Sequence, residues 1–347
     1  MHSCAHAGSA ARLTRLPLVT LYLSERCNSR CVTCDYWRHG SADMDLAAVR
    51  RLLPALGELG TQTVVLSGGE PLINREWQAI AAALRAAGLK LWLLTAGLSL
   101  LKHARTAAAL FDGITVSLDG TDPETYQRIR GLDAFDTVCA GIAAVAGAGG
   151  TVGVRVTLQR ANFRQLPRFV TLARELGARQ VSFLAVDVAN PHAFARRDGP
   201  ATDLALRPED LPEFSAILER FEQAYAHELR TRFVAETAAR LRHIARYFAA
   251  VCGLEPFPPV RCNAPEFSAV IDARGGVSPC FFIRGPGDAS VAHADLGGVL
   301  NGEASRQLRQ RIRAGGMGEC STCVCSLWRE PLAQATPARF FAESTHA

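Results

Sequence analysis

Short apolar runs alternate with amphipathic stretches through the first half of the chain. The first run, Leu18-Val19-Thr20-Leu21-Tyr22-Leu23, reads as a buried strand. Helical spacing of apolar residues follows from Asp45 to Leu59, and Pro54 inside it predicts a kink or break. A second strand at Thr63–Leu66 leads into the turn Ser67-Gly68-Gly69-Glu70-Pro71. Asn74 is then placed to cap a helix through Trp77, Ile80 and Leu84 that stops at Gly88. Further strands are predicted at Leu89–Leu94, Ile114–Leu118, Val152–Leu158 and Val181–Val186. The helices between them are an Ala/Leu-rich one after Thr95-Ala96-Gly97, then Phe135–Ala148 and Gln165–Leu176. Strands and helices alternating at intervals of about thirty residues predict an α/β fold with a parallel sheet. A partial barrel of six βα units and a flat doubly wound sheet both satisfy this periodicity. Both place ligands at the C-terminal ends of the strands.

From about Ala201 the alternation stops. Arg207-Pro208-Glu209-Asp210 reads as a helix start with proline in its first turn, and helical patterning runs to about Val251. Beyond Cys252 the chain is rich in proline and glycine, with short strands such as Ser268–Ile271. The expected organisation is therefore a disordered leader over 1–16, a core over 17–205 and a helical connection over 206–251. A small separate unit follows over 252–330, held by something other than a large apolar core, and then a loosely ordered tail over 331–347.

Composition narrows the picture. With 347 residues, 48% of them hydrophobic, the chain can bury the core of one large domain or two modest ones. No apolar run is long enough to span a bilayer, and the segment around Arg12 and Arg15 lacks a signal-peptide cleavage pattern. The formal charge of +5 is carried almost wholly by arginine, Lys90 and Lys102 being the lysines. The densest basic run, Arg306, Arg309, Arg311 and Arg313, has no interleaved aromatics and reads as a solvated helix face. Neither a nucleic acid nor a membrane is expected as a partner, and the cytoplasm is the expected location.

The 11 cysteines are clustered, which in a reducing compartment points to metal ligation. Cys27, Cys31 and Cys34 follow the first strand directly. Three soft thiolates this close could hold an iron–sulfur cluster with one iron left open, or zinc with His39 as fourth ligand. A second group, Cys262, Cys280, Cys320, Cys323 and Cys325, suits either a zinc site or a second cluster. Cys139, among Val138, Ile142 and Val145, reads as a small core residue. Cys4 falls in the leader and Cys252 has no assignment. The Gly68-Gly69-Glu70-Pro71 turn is either an ordinary connection or a place where a ligand meets bare backbone and a carboxylate takes an ammonium group. Ser117-Leu118-Asp119-Gly120 offers acceptors to a ribose, or is a favoured Asp-Gly turn. All three loops follow strand C-termini and converge on one rim.

Taken together, Cys27-x3-Cys31-x2-Cys34, Gly68 to Pro71 and Ser117 to Gly120 resemble the radical S-adenosylmethionine (SAM) superfamily over about 17–190. The pattern from Cys262 to Cys325 is similar to its SPASM/twitch extension. The resemblance implies a partial (βα)6 barrel whose Cys27, Cys31 and Cys34 hold a 4Fe–4S cluster, with SAM chelating the open iron. It implies that Gly68, Gly69 and Glu70, with Pro71 completing the turn, receive the methionine amino group, and that Ser117 and Asp119 approach the ribose. Reductive cleavage of SAM would give a 5′-deoxyadenosyl radical that abstracts hydrogen from a small-molecule or peptide substrate. A reductant such as flavodoxin or ferredoxin would supply the electron. Cys262, Cys280, Cys320 and Cys323 would hold one auxiliary 4Fe–4S cluster, with Cys325 a fifth candidate.

Three departures stand out. Thr33 replaces an aromatic residue before the third cysteine, Tyr36 and Trp37 coming later. Thr95-Ala96-Gly97 replaces Thr-Asn-Gly. The C-terminal cysteines are too few for two auxiliary clusters. No leader-peptide-binding unit is recognisable ahead of Leu18, which favours a small-molecule or carrier-bound substrate, and Asp187 to His192 is expected to face it. A cyclase of the molybdopterin-precursor type is disfavoured, since no glycine- and arginine-bearing tail follows Cys325. The competing class is a non-enzymatic zinc or iron–sulfur scaffold or sensor.

Overall fold

The computed structural model describes residues 12–38, 40–190, 201–292 and 294–330. The chain runs β1 (Leu18–Ser24), α1 (Leu46–Glu58), β2 (Thr63–Gly68), α2 (Trp77–Ala86), β3 (Lys90–Thr95) and α3 (Leu100–Leu110). It continues β4 (Gly113–Ser117), α4 (Pro123–Arg130), α5 (Phe135–Gly147), β5 (Val152–Leu158), α6 (Leu166–Glu175) and β6 (Gln180–Ala185). Three helices follow, α7 (Leu211–Ala224), α8 (Ala226–Arg230) and α9 (Ala238–Val251). The last elements are β7 (Ser268–Ile271), β8 (Val277–Ser278), α10 (Leu296–Asn301), α11 (Glu303–Arg313) and α12 (Gly318–Ser321).

The strands form one open sheet in the order β6-β5-β4-β3-β2-β1-β7-β8, parallel except for the β7–β8 hairpin. This is the partial barrel. Strand alternation explains its two faces. On β5, Val152, Val154, Val156 and Leu158 belong to the main core, while Gly153, Arg155 and Thr157 line the cavity on the inner side. On β1, Val19, Leu21 and Leu23 enter the same core, and Thr20 and Tyr22 line the cavity. Each fully buried Leu, Val or Phe of that helix–sheet layer contributes roughly 1.5–3 kcal/mol.

Several local expectations are corrected. Pro54 does not break α1, because it stands on the helix's exposed face one turn after an exposed Arg50, whose carbonyl, left without a donor, water can serve. Asn74 does not cap α2, which starts beside Glu76. Its amide instead donates to Leu23 O (2.7 Å) and Met44 O (2.8 Å), and its Oδ1 accepts from Glu76 N. Helix α4 was not anticipated, since Tyr126 and Ile129 are its only apolar residues. Its termini are nonetheless marked: Asp122 accepts from Thr125 N at 2.8 Å, Pro123 occupies the first turn, and Gly131 ends it at φ 75°. Arg309 is buried, not solvated, and donates to Leu300 O at 2.6 Å.

Residues 252–330 share the sheet with the core. β7 pairs with β1 from Leu18↔Ser268 to Leu21↔Ile271, and Ala264 and Phe267 pack with Leu18 and Val65 on the inner face. Two contacts tie this segment to the rim: Arg274 to Glu25 in the cysteine loop (2.5 and 2.9 Å) and Asn190 Nδ2 to Phe282 O (3.1 Å). Ahead of β1, Leu13 and Leu16 are buried, and Leu13 N donates to Asn301 Oδ1. Among the described residues no helix is long and apolar enough to cross a membrane. Cys4, His39, His192 and the segment 331–347 lie outside the described residues.

Candidate active site

The cysteine loop leaves β1 where the strand ceases to pair, and its shape is fixed by backbone contacts. Arg30 N and Val32 N donate to the carbonyls of Arg130 and Ile129 at the end of α4. Ser29 is buried; its amide donates to Cys27 Sγ (3.4 Å), and its hydroxyl lies 3.3 Å from Cys31 Sγ. Glu25 and Arg26 brace the near side, Arg26 pairing with Asp43. Cys27, Cys31 and Cys34 all open onto the cavity. Burial pushes the Cys27 thiol up to about 11 and the Cys34 thiol up to about 12. Alone, these thiols are neutral; a positive charge is needed to draw off their protons.

The glycine pair is explained by close approach of the cysteine loop. Gly68 has φ 119°, and a Cβ on Gly69 would stand 2.2 Å from the carbonyl oxygen of Arg26. Gly69 N and Glu70 N donate to Ser24 O and Arg26 O at 2.9 Å each, so the turn carries the loop on its backbone. Gly68 and Gly69 line the cavity, whereas Glu70 and Pro71 are buried behind it. The Glu70 carboxylate accepts from Leu72 N (3.0 Å), Thr95 Oγ1 (2.8 Å) and Ala96 N (2.7 Å). It thereby locks the turn to the end of β3. Burial raises its pKa, opposed by those three donors.

At the end of β4, Ser117 faces the cavity, while Asp119 is 1% exposed and lies behind the wall. Asp119 accepts from Arg130 Nη1 (3.1 Å) and Thr157 N (2.7 Å). Arg130 is a residue that sequence reasoning missed, because its helix was missed. Its buried guanidinium lines the cavity beside Asp119 and the thiols of Cys31 and Cys27, and its Nε has no hydrogen-bond partner. These neighbours raise its pKa against the cost of burial. A fixed cation here favours anionic sulfur.

The opposite wall carries the second thiol group. Cys262, Cys280, Cys320, Cys323 and Cys325 all line the same cavity, of about 1840 Å3. Burial pushes Cys280 up to about 11 and raises Cys320 and Cys323 as well, and the neighbouring thiols add to each shift. Tyr22 on β1 stands between the two groups, its phenol raised by burial and then by Tyr36, Cys280 and Cys34. The rings of Tyr22 and Tyr36 meet edge to face at 5.8 Å. Asp187 also lines the cavity, its Oδ1 accepting from Ala189 N and Asn190 N. Cys139 is half-buried against the main core, and Cys252 Sγ lies 3.3 Å from Leu206 O. Both are away from the cavity.

Among the described residues no three Cys, His, Asp or Glu side chains converge on a single ion. The donors on both walls are thiols alone, the ligand chemistry of soft metals and iron–sulfur clusters. The residues present therefore fit a cluster on the Cys27 loop, with Arg130 to balance charge.

Comparison with known proteins agrees with this geometry. The Radical SAM superfamily profile matches residues 21–173. The GTP 3′,8-cyclase of Paenarthrobacter nicotinovorans is 30% identical over 285 residues, covering 76% of this chain and 77% of the cyclase. The PqqA peptide cyclase of Ruegeria pomeroyi is 30% identical over 226 residues, covering 63% of this chain and 55% of that protein. Among curated relatives the chain spans from 43% to 77% of their length. In fold it is similar to SuiB of Streptococcus suis, solved with SAM, with TM-score 0.63 and 13% identity over 91% of this chain and 74% of that one. SuiB has also been solved with its precursor peptide SuiA. Since the cyclase match covers about three quarters of both chains and the superfamily profile takes in the cysteine loop, the protein belongs to the radical SAM superfamily and is an enzyme.

Proposed function

We propose that the chain binds SAM against the Cys27–Cys34 loop and removes a hydrogen atom from a small molecule or peptide held in the cavity, assisted by one auxiliary cluster. The observation that carries this reading is the convergence on one cavity of both thiol groups, the glycine turn and Ser117. Cys27, Cys31 and Cys34 would hold a 4Fe–4S cluster, which when bound supplies the electron that turns SAM into a carbon-centred radical source. The backbone of Gly68 and Gly69 gives the methionine end a bare surface, with Glu70 holding that surface rigid from behind. Ser117 offers a hydroxyl to the ribose, and Asp119 holds the strand end and Arg130 in place. Cys262, Cys280, Cys320 and Cys323, with Cys325 as alternate, would saturate an auxiliary cluster.

A peptide substrate is supported by the similarity to PqqA peptide cyclase and by the fold shared with SuiB. A small-molecule substrate is supported by the longer match to GTP 3′,8-cyclase. The test is anaerobic reconstitution followed by product analysis with SAM and a strong reductant. Wild type should form 5′-deoxyadenosine, and changing Cys27, Cys31 and Cys34 together to Ala should abolish it while iron remains at the C-terminal thiols. Undiminished SAM cleavage in the triple variant would refute the assignment.

A further inference from the structure

At the end of the sheet farthest from β7 and β8, the inner wall is made by β5, β6 and the segment 233–236. This segment runs along the free edge of β6, with Val181 N donating to Phe233 O (2.7 Å) and Ala235 N to Val181 O (2.9 Å). The next amide along, Phe183 N, finds no strand and donates instead to Glu236 Oε2 at 2.8 Å. Glu236 thus closes the barrel edge with its carboxylate, and it faces the cavity while doing so.

Beside it lies Arg155, in an inward slot of β5 between Ser117 of β4 and Ser182 of β6. Its Nε donates to Ser182 Oγ at 3.2 Å, and Ser182 in turn donates to Val154 O. That bond fixes the plane of the guanidinium and leaves its two terminal nitrogens turned elsewhere. Among the described residues neither terminal nitrogen has a hydrogen-bond acceptor, and no carboxylate is within ion-pair distance. Glu236 is near enough to feel its charge but is bound to the strand edge. A guanidinium that lines the cavity with neither fork nitrogen bound to protein is placed to meet a planar oxyanion bidentately.

We propose that Arg155 is the anchor for an oxyanion of the substrate, a carboxylate or phosphate taken bidentately, so that the substrate is an anionic molecule or an acidic peptide residue. This rests on the reading of the cavity as the radical SAM site and names the class of molecule that enters it. One strand away from Ser117, the anchor would set how far the substrate reaches toward the rim.

The test uses the full-length reconstituted protein with SAM present and two probes, inorganic pyrophosphate and succinate, titrated calorimetrically at constant ionic strength. At least one probe should bind wild type, and Arg155→Met should weaken it by about tenfold or more. Arg155→Lys keeps a charge without the fork and should bind in between, which also controls for folding. The preferred probe distinguishes phosphate from carboxylate. SAM affinity should stay within about twofold of wild type in both variants. Absence of binding to wild type, or binding that survives Arg155→Met, would overturn the proposal. So would a loss of SAM affinity of similar size, since the guanidinium would then serve the cofactor. If the wild type formed no 5′-deoxyadenosine while probe binding still required Arg155, the functional reading would fail and the anion site would stand.

Discussion

Glu70 shows how a motif residue acts through what surrounds it. Its carboxylate receives three donors and faces no open space, so its first task is to hold the glycine turn against β3. Glu70→Gln places an amide N–H against backbone donors, which should cost about 1–3 kcal/mol and loosen the turn. The expected result is a lower melting temperature together with weaker SAM binding, measured by thermal unfolding and by titration; an unchanged melting temperature would detach Glu70 from this role. Glu236 makes a second prediction. Burial pushes its carboxyl up to about 7 from an ordinary 4.5, opposed by Phe183 N, by Arg155 on β5, by its own amide and by Arg240 on α9. Because the folded state then holds the proton more tightly than the unfolded state, stability falls as pH rises from about 4.5 to about 7 and levels off above. Glu236→Gln removes that slope, so its stability relative to wild type should improve between about pH 5 and pH 8 in denaturant titrations.

At the scale of elements, the strands were legible and the short polar helix α4 was not. The run Val152–Leu158 is β5 end to end, because alternating valines against an apolar helix layer leave one reading open. Helix α4 was invisible to apolar periodicity, although Asp122-Pro123 and Gly131 punctuate it, and with it went Arg130. Arg155 and Glu236 were missed for another reason: their meaning lies in contacts between β5, β6 and a segment some fifty residues later. The Cys27–Cys34 loop and the glycine turn stood out in the sequence because their spacing is local. The steric reason for the glycines was not, since the Arg26 carbonyl reaches Gly69 only in three dimensions. Gly69→Ala should therefore shift backbone, costing roughly 1–3 kcal/mol and lowering iron retention on reconstitution. Gly57→Ala, in α1 with open space where the Cβ would go, should instead stabilise by roughly 0.5–1 kcal/mol. Urea denaturation of the two variants checks both signs.

For the whole molecule, two thiol groups facing one cavity predict about eight irons per chain after reconstitution. Changing Cys262 and Cys280 together to Ala should leave about four, with proteolysis of 252–330 accelerated. Stoichiometric zinc in the wild type would replace the second cluster. The placement of β7 carries a different consequence, for the order in which the chain is made. β1 emerges first from the ribosome, yet one of its two edges stays unpaired until Ser268–Ile271 has been synthesised. Translation at about 5–20 residues per second leaves that edge bare for tens of seconds. A nascent chain halted before β7 should therefore be a substrate for chaperones and prone to strand-to-strand aggregation, and the closing of the sheet is a timed event that waits for β7.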